Sequence, residues 1–403
     1  MGNPQGSGSG RLYRDKNLRI IFGVTLMGVL GVASITPAFP RIITDLGIQP
    51  RDVGLLITVF TLPGIFLSPF LGLLADRYGR KRILVPSLVL FALAGGSCGL
   101  TRDFTLLLMA RFFQGVGGAS LAALSSTVIG DLYEGQARAA AMGYNASVLS
   151  VGTATYPAIG GTLALLGWHY PFFLPLLALP VAYLILFHMD NPEPVRRQGL
   201  AEYLRGAMAI LRNRNVLGVF VVSVATFIIL YGSLLTYFPL LAAGRFSAST
   251  MIIGLIMSCM SLTTGLTSTQ MGRLSGRFTE KNLIKVSFLL YAVALALIPF
   301  TPAIGSCLLP MVIFGLGHGM NIPSIMSLMA GYAPMEHRGI LMSVNGTVLR
   351  LGQTLGPLVM GLAFARWGIA GPFLSGAVLS LVVFGAAVTI VKGERKGIPS
   401  RVV

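Results

Sequence analysis

Charge is what this sequence has least of. Only 11% of its 403 residues are Asp, Glu, Lys or Arg, and 13 of them are acids. A typical soluble domain carries roughly 25% charged residues. With 54% apolar residues and a mean hydropathy of +0.78, the chain cannot coat itself with polar surface, which excludes a soluble enzyme or binding module. Cysteine is scarce too. Cys98, Cys259 and Cys307 all fall in apolar stretches with no regular spacing, so neither a disulfide framework nor a thiolate metal site is expected. There is no Gly-x-x-x-x-Gly-Lys phosphate loop, so ATP is not bound by that route. His169, His188, His318 and His337 lack metal-ligand spacing. No carboxylate lies inside an apolar stretch, which removes the base a membrane hydrolase or acyltransferase would need. No cofactor or metal is expected.

What is present is a series of long uncharged runs: Ile20 to Pro40, Val53 to Ala75, Ile83 to Thr101, Ala139 to Met189, Val216 to Gly244, Phe246 to Gly272, Val286 to Met335 and Trp367 to Val391. One helical crossing of a bilayer needs about 20 apolar residues. Ala139 to Met189 therefore holds two crossings, with a turn near Trp168 to Pro171. Val286 to Met335 holds two more, broken around Phe300 to Pro302. The runs around Arg111 and Arg350 add one each, which predicts an all-α integral membrane protein of twelve helices. Period-two alternation is absent, so a membrane barrel is disfavoured. The first run reads as a retained helix, because it is of full span length without a small-residue cleavage site.

The basic residues give the orientation. With the N-terminus inside, 23 of the 30 lie on the inner side. Five lie outside (Arg41, Arg51, Arg102, Arg245 and Arg366) and two, Arg111 and Arg350, inside the membrane. Both termini are expected in the cytoplasm, with the chain in the cell inner (plasma) membrane. The net charge of +17 is then an orientation signal and a contact with lipid headgroups, not a nucleic-acid site.

The second half repeats the first at an offset of 200 residues. Gly72, Leu74, Arg77, Lys81, Gly115, Gly117, Arg138, Met142, Asn145, Gly152, Pro157 and Gly161 recur as Gly272, Leu274, Arg277, Lys281, Gly315, Gly317, Arg338, Met342, Asn345, Gly352, Pro357 and Gly361. Two parallel six-helix bundles follow, over 18–190 and 216–391, with a substrate site at their interface near the midplane. The remaining segments are an N-terminal segment 1–17, a linker 191–215 and a tail 392–403, both ends cytoplasmic. Within the linker, 200–211 has the pattern of an amphipathic surface helix.

Several motifs stand on this frame. After the second span comes Gly72-Leu-Leu-Ala-Asp76-Arg77-Tyr78-Gly79-Arg80-Lys81-Arg82. It resembles the Gly-x-x-x-Asp-Arg-x-Gly-Arg-Lys loop of the major facilitator superfamily. The resemblance implies a cytoplasmic latch made by Asp76, Arg77, Gly79 and Arg80, with Arg80 bridging Asp76 to Asp131 and Asp76 meeting the eleventh span when the inner side is closed. The copy in the second half has Gly276 in place of the aspartate, so a symmetrical second latch is not expected. Arg111-Phe-Phe-Gln-Gly115 resembles the superfamily's Arg-x-x-x-Gly signature in the fourth span. Gly152-Thr-Ala-Thr-Tyr156-Pro157-Ala-Ile-Gly160-Gly161 resembles the Gly-x-x-x-Gly-Pro-x-x-Gly-Gly signature of the twelve-span drug:proton antiporters, with Tyr156 at the second glycine. The eleventh span carries Gly352, Gly356, Pro357 and Gly361 at similar spacing. Small residues four apart allow close helix approach, so both copies are expected to form packed seams between the halves.

Spans 3, 6, 9 and 12 are almost purely apolar and suit lipid contact. Polar residues gather elsewhere, and the candidate substrate cavity comprises Arg350, Arg111, His318, Asn145, Asn345, Gln353, Asn321 and Tyr231. Arg350 lies about 17 Å from the inner end of its helix and Arg111 about 10 Å from the outer end of its own, at 1.5 Å per residue. Each arginine either braces helices or faces the cargo, where Arg350 would attract an anionic group. His318 is the one side chain at membrane depth with an ordinary pKa in the physiological range. It is either a packing residue or the coupling group for protons. The leading expectation is a monomeric secondary transporter that exports amphipathic small molecules by alternating access, with protons as a candidate coupling ion. The alternative is an organic-anion uniporter or symporter built on Arg350 and Arg111.

Overall fold

A computed structural model describes residues 12–190, 208, 213–332 and 338–389. The linker helix expected at 200–211 and the tail at 392–403 lie outside these residues, Met208 excepted. The described chain is helical, with no strand. Eleven segments are long and apolar enough to cross a membrane, and the last of these, Val344–Ala386, contains two helices joined by the turn Gly368–Ala370. In chain order the helices are α1 (Lys16–Leu46), α2 (Leu55–Tyr78), α3 (Arg80–Cys98), α4 (Phe104–Leu132), α5 (Gly135–Leu166), α6 (Tyr170–His188), α7 (Arg214–Phe246), α8 (Thr250–Thr269), α9 (Glu280–Phe300), α10 (Ile304–Tyr332), α11 (Arg338–Trp367) and α12 (Gly371–Thr389). The breaks inside the two longest uncharged runs fall at Gly167 to His169 and Thr301 to Ala303, where Gly and Pro interrupt the apolar pattern.

Local chemistry sets the helix ends. Asp15, Asp103, Ser249 and Thr279 accept bonds from first-turn amides of α1, α4, α8 and α9, satisfying donors that a helix start leaves unpaired. Gly79 turns the chain from α2 into α3 at φ +99°, a conformation that disfavours any side chain. Several helices depart from regular geometry; α6 opens as a 3-10 helix over Tyr170–Leu177, and α1 and α7 depart within their length. In α1 a single 3-10 turn at Thr36–Ala38 surrounds Pro37. In α7 a π-helix spans Ile229–Tyr237, and the Thr236 hydroxyl donates to the Tyr231 carbonyl at 2.7 Å.

The buried apolar side chains form two cores, one from Leu18 to Met189 and one from Val216 to Val383. Each half of the sequence thus buries its own bundle. Large exposed apolar side chains line α6, α9 and α12 (Tyr183, Phe187, Leu289, Leu297, Val378 and Leu381 among them), as lipid-facing helices require. Because the helix number is even, α1 begins and α12 ends at one face, called here the terminal face; the opposite one is the far face.

Candidate functional site

The two halves meet along α5 with α8 and α2 with α11, and both seams use the same device. Gly254 of α8 lies so close to Pro157 of α5 that a Cβ would strike the Pro157 carbonyl oxygen. Gly54, just before α2, sits against Pro357 of α11, where a Cβ would stand 2.8 Å from the proline Cβ. The pairs Gly54/Gly254 and Pro157/Pro357 share the 200-residue offset. Hydrogen bonds reinforce each seam. Thr250 Oγ1 donates to the Gly161 carbonyl at 2.7 Å, and the Ala158 amide, just past Pro157, donates to Ser258 Oγ at 3.0 Å. In the other seam Thr58 Oγ1 donates to the Thr354 carbonyl at 3.1 Å, and the Thr61 and Thr354 hydroxyls pair at 2.8 Å.

Counted along α2, α5 and α8 at 1.5 Å per residue, all four cross-half hydrogen bonds between described residues lie within about 12 Å of the far-face ends of those helices; counted along α11, Thr354 is about 20 Å from its far-face end. Toward the terminal face the described glycines Gly72, Gly143, Gly272 and Gly346 have open space where a Cβ would sit. The remaining motif glycines pack within each half: Gly152 against Leu26 and Gly160 against the Ser34 carbonyl of α1, Gly352 against Val224 and Gly356 against Gly232 of α7. Gly361 approaches the Tyr237 hydroxyl. Tyr156, where the antiporter signature has glycine, is buried beside this packing.

At the terminal face Arg80, 5% exposed, is ion-paired with Asp76 one turn earlier and donates from Nε to Asp131 Oδ2 at 2.9 Å. It therefore ties the α2–α3 turn to the end of α4, while Arg77 is exposed. A second polar cluster joins the start of α1 to the ends of α4 and α6. Tyr133 donates to Asp15, and Asn17 and Lys16 donate to Asp190. The hydrogen bonds from Asn17 and Lys16 hold the Asp190 carboxyl below the usual carboxylate range.

The expected cavity residues do not form one group. Arg111 is fully buried inside the first half. It donates to the Leu56 carbonyl (3.0 Å), the Gly31 carbonyl (2.9 Å) and Gln114 Oε1 (2.6 Å), and lies over the Phe60 ring. It binds α4 to α1 and α2 and faces no cargo space. Asn145 is also turned inward, accepting from Thr25 of α1 at 2.7 Å. In the second half Asn321 donates to Thr226 of α7 (2.7 Å), and His318 Nδ1 pairs with the Tyr291 hydroxyl of α9 (2.9 Å) with its ring stacked on Phe314. Asn345 is buried beside Met326. The polar side chains of these spans are spent largely on helix–helix bonds, because a hydrocarbon interior offers no water to satisfy them.

Three expected residues do come together, at the boundary of the halves. Arg350 is partly exposed and donates to Gln353 Oε1 at 3.2 Å. It lies within electrostatic reach of Tyr231. It also rests on Gly64 of α2, where an added Cβ would be 3.1 Å from both Cδ and Nε. Tyr231 sits in the π segment and packs against both apolar cores. Gly64, Gly54, Gly254, Thr58, Thr61 and Tyr291 were not singled out in the sequence. Only Gly54 and Gly254 carried a readable signal, their repeat spacing.

Twelve membrane helices in two bundles, meeting along paired seams, define a multi-pass solute carrier rather than an enzyme. The sequence profile of the Major Facilitator Superfamily matches residues 21–251 and 241–401. The chain belongs to that superfamily and is a membrane transporter of small molecules. Among its relatives, Quinolone resistance protein NorA of Staphylococcus aureus is 25% identical over 358 residues, 87% of this chain and 90% of that protein. Multidrug resistance protein 2 of Bacillus subtilis is 24% identical over 384 residues, covering 94% and 95%. Among solved structures, a single-residue mutant of the nucleoside transporter NupG superposes with a TM-score of 0.80 at 14% identity, over 94% of this chain and all of that one.

Proposed function

We propose that this transporter exports amphipathic small molecules across the plasma membrane by alternating access, with both termini in the cytoplasm. The observation that carries the reading is the doubled seam. Two glycine–proline contacts close the far face, while the cross-half bonds stop short of the terminal face, as in a carrier whose cargo space faces the cytoplasm. The near full-length likeness to resistance proteins supports small-molecule efflux. Asp76, Arg80 and Asp131 form the latch that closes the terminal face in the other arrangement, with Asp76 meeting α11. His318 is the proton-coupling group, its ring oriented by Tyr291.

A second reading, transport of organic anions, is favoured by one observation. Arg350 lies between the halves with no carboxylate partner among the described residues. Arg111, its expected companion, is enclosed in the first half. Reconstitution in proteoliposomes with imposed pH and voltage gradients separates the readings. The exporter moves a lipophilic cation driven by the pH gradient, whereas the anion carrier moves an organic anion and leaves the cation alone.

A further inference from the structure

A positive charge held in a membrane needs a partner, and Arg350 is given few. One guanidinium nitrogen donates to Gln353, and its carbonyl accepts from Thr354 Oγ1 at 2.8 Å. No other protein acceptor for the side chain lies among the described residues. The guanidinium plane presents paired N–H groups that match a carboxylate in bidentate fashion. Two neighbours complete a recognition surface. Tyr231 brings a phenol hydroxyl, and its ring stands 5.9 Å from that of Phe227, an aromatic wall for the apolar part of an amphiphile. Gly64 supplies the floor from the other half of the protein.

We propose that Arg350, Gln353 and Tyr231, seated on Gly64, form the subsite that binds the carboxylate of an acidic amphiphilic cargo. The assignment rests on the second reading above, transport of organic anions, and deepens it. The transported molecules carry an anionic group, read by Arg350, and an aromatic or apolar body, held against Tyr231 and Phe227. The site straddles the halves, which gives it a mechanical consequence. Gly64 contacts Arg350 only while α2 lies against α11, so the subsite is complete when the far face is closed. It is dismantled when that seam parts. Bound anion therefore favours the far-face-closed arrangement, and opening releases it on the far side; differential affinity of this kind couples binding to conformation.

The test is a binding titration in nanodiscs of phosphatidylcholine alone, so that no anionic headgroup competes. The probes are dansylglycine, its methyl ester and tetraphenylphosphonium. The wild-type protein should bind the acid at least about tenfold tighter than the ester. Arg350→Gln should remove that preference without weakening the ester or the cation, and Arg350→Lys should restore part of it. Gly64→Ala, which crowds the guanidinium from the opposite half, should weaken the acid selectively, while Gly72→Ala, with open space at its Cβ, should change nothing. Failure of the wild-type protein to bind the acid, or equal loss of all three probes in Arg350→Gln, overturns the subsite. Adding phosphatidylglycerol distinguishes a lipid occupant. If it displaces the acid from the wild-type protein at stoichiometric amounts, the site belongs to lipid headgroups and the cargo assignment falls. A protein that exports the cation yet shows no acid preference loses the subsite and keeps the exporter reading. One that binds the acid but moves no cargo in proteoliposomes keeps the subsite and loses the transport mechanism.

Discussion

The substitution Gly254→Ala isolates the seam from the rest of the fold. Gly254 lies inside α8, so alanine gains about 0.8–1 kcal/mol of helix propensity. That gain is the same whether the seam is closed or open, and it cancels from the balance between the two arrangements. The new methyl group does not cancel. In the closed seam it strikes the carbonyl oxygen of Pro157, a backbone atom that cannot swing aside. Overpacking of this kind costs about 1–3 kcal/mol. At 1.4 kcal/mol per factor of ten, the population should move roughly 5- to 150-fold toward the arrangement with the far face open.

Spin labels at Gln49→Cys and Gly244→Cys report the far-face separation by pulsed electron resonance, in a background with Cys98, Cys259 and Cys307 replaced. Both labelled positions are exposed, one on each half. The long-distance population should rise in Gly254→Ala. It should rise less in Gly54→Ala, where the methyl would stand 2.8 Å from the Pro357 Cβ, a milder overlap than the one with the Pro157 carbonyl oxygen in Gly254→Ala. It should not rise in Gly72→Ala. A distance distribution in Gly254→Ala no different from that of Gly72→Ala would refute the reasoning, because the steric argument leaves no other direction for the shift.

Three further outcomes follow. Asp76→Asn leaves Arg80 held by Asp131 alone; it should cost roughly 1.5 kcal/mol, the low end for one charged hydrogen bond, and cut transport while inserted protein stays constant, so unimpaired transport excludes the latch. His318→Gln should abolish dependence of accumulation on the pH gradient while the cargo still binds, and pH-driven accumulation persisting in that variant removes His318 from proton coupling. Asp190 has a carboxyl depressed below its ordinary 3.8 by bonds from Asn17 and Lys16, so its stabilising contribution is complete above about pH 4 and lost as pH falls through the lowered value. Melting curves of the purified protein should show this acid-side loss in the wild type and a smaller one in Asn17→Ala, and identical pH profiles would contradict the linkage.

Much of the fold was legible because the membrane enforces it. A run of 20 apolar residues without period-two alternation has one stable solution in hydrocarbon, a helix, and a fixed 200-residue repeat then divides twelve helices into two bundles. The motif positions were legible because Gly152, Pro157, Gly352 and Pro357 recur in register, but Gly152 and Gly352, expected at the seam, pack within their own halves, and only the prolines sit there. Their partners were harder to find. Gly54 and Gly254 repeat too, but with 50 glycines in the chain a lone matched pair carries little weight until a contact is seen. The π segment of α7 leaves no compositional trace, because an i→i+5 ladder uses the same apolar residues as an α-helix. Depth was readable and direction was not. Counting residues from a helix end places Asn145, Asn321 and His318 at membrane depth, but their azimuth depends on which neighbour each helix meets. The structure turns them toward Thr25, Thr226 and Tyr291.

The two membrane arginines show why azimuth decides function. Both must offset the cost of a charge away from water, at least about 2.5–3.5 kcal/mol on insertion scales. Arg111 does so with two backbone carbonyls, a glutamine and the face of Phe60, all supplied by its own half. In the proposed alternating-access cycle those partners move with it as one body, so its energy is nearly the same in either arrangement of the halves. A group with no differential interaction cannot bias a conformational balance; Arg111 holds α4 to α1 and α2 of the first bundle, and in that cycle it would not drive transport. Arg350 has one side-chain acceptor in its own half and a glycine in the other. Its surroundings change when α2 leaves α11, and so does the worth of any anion placed beside it. Of the two charges, the proposed cycle leaves only the one at the seam able to convert binding into movement.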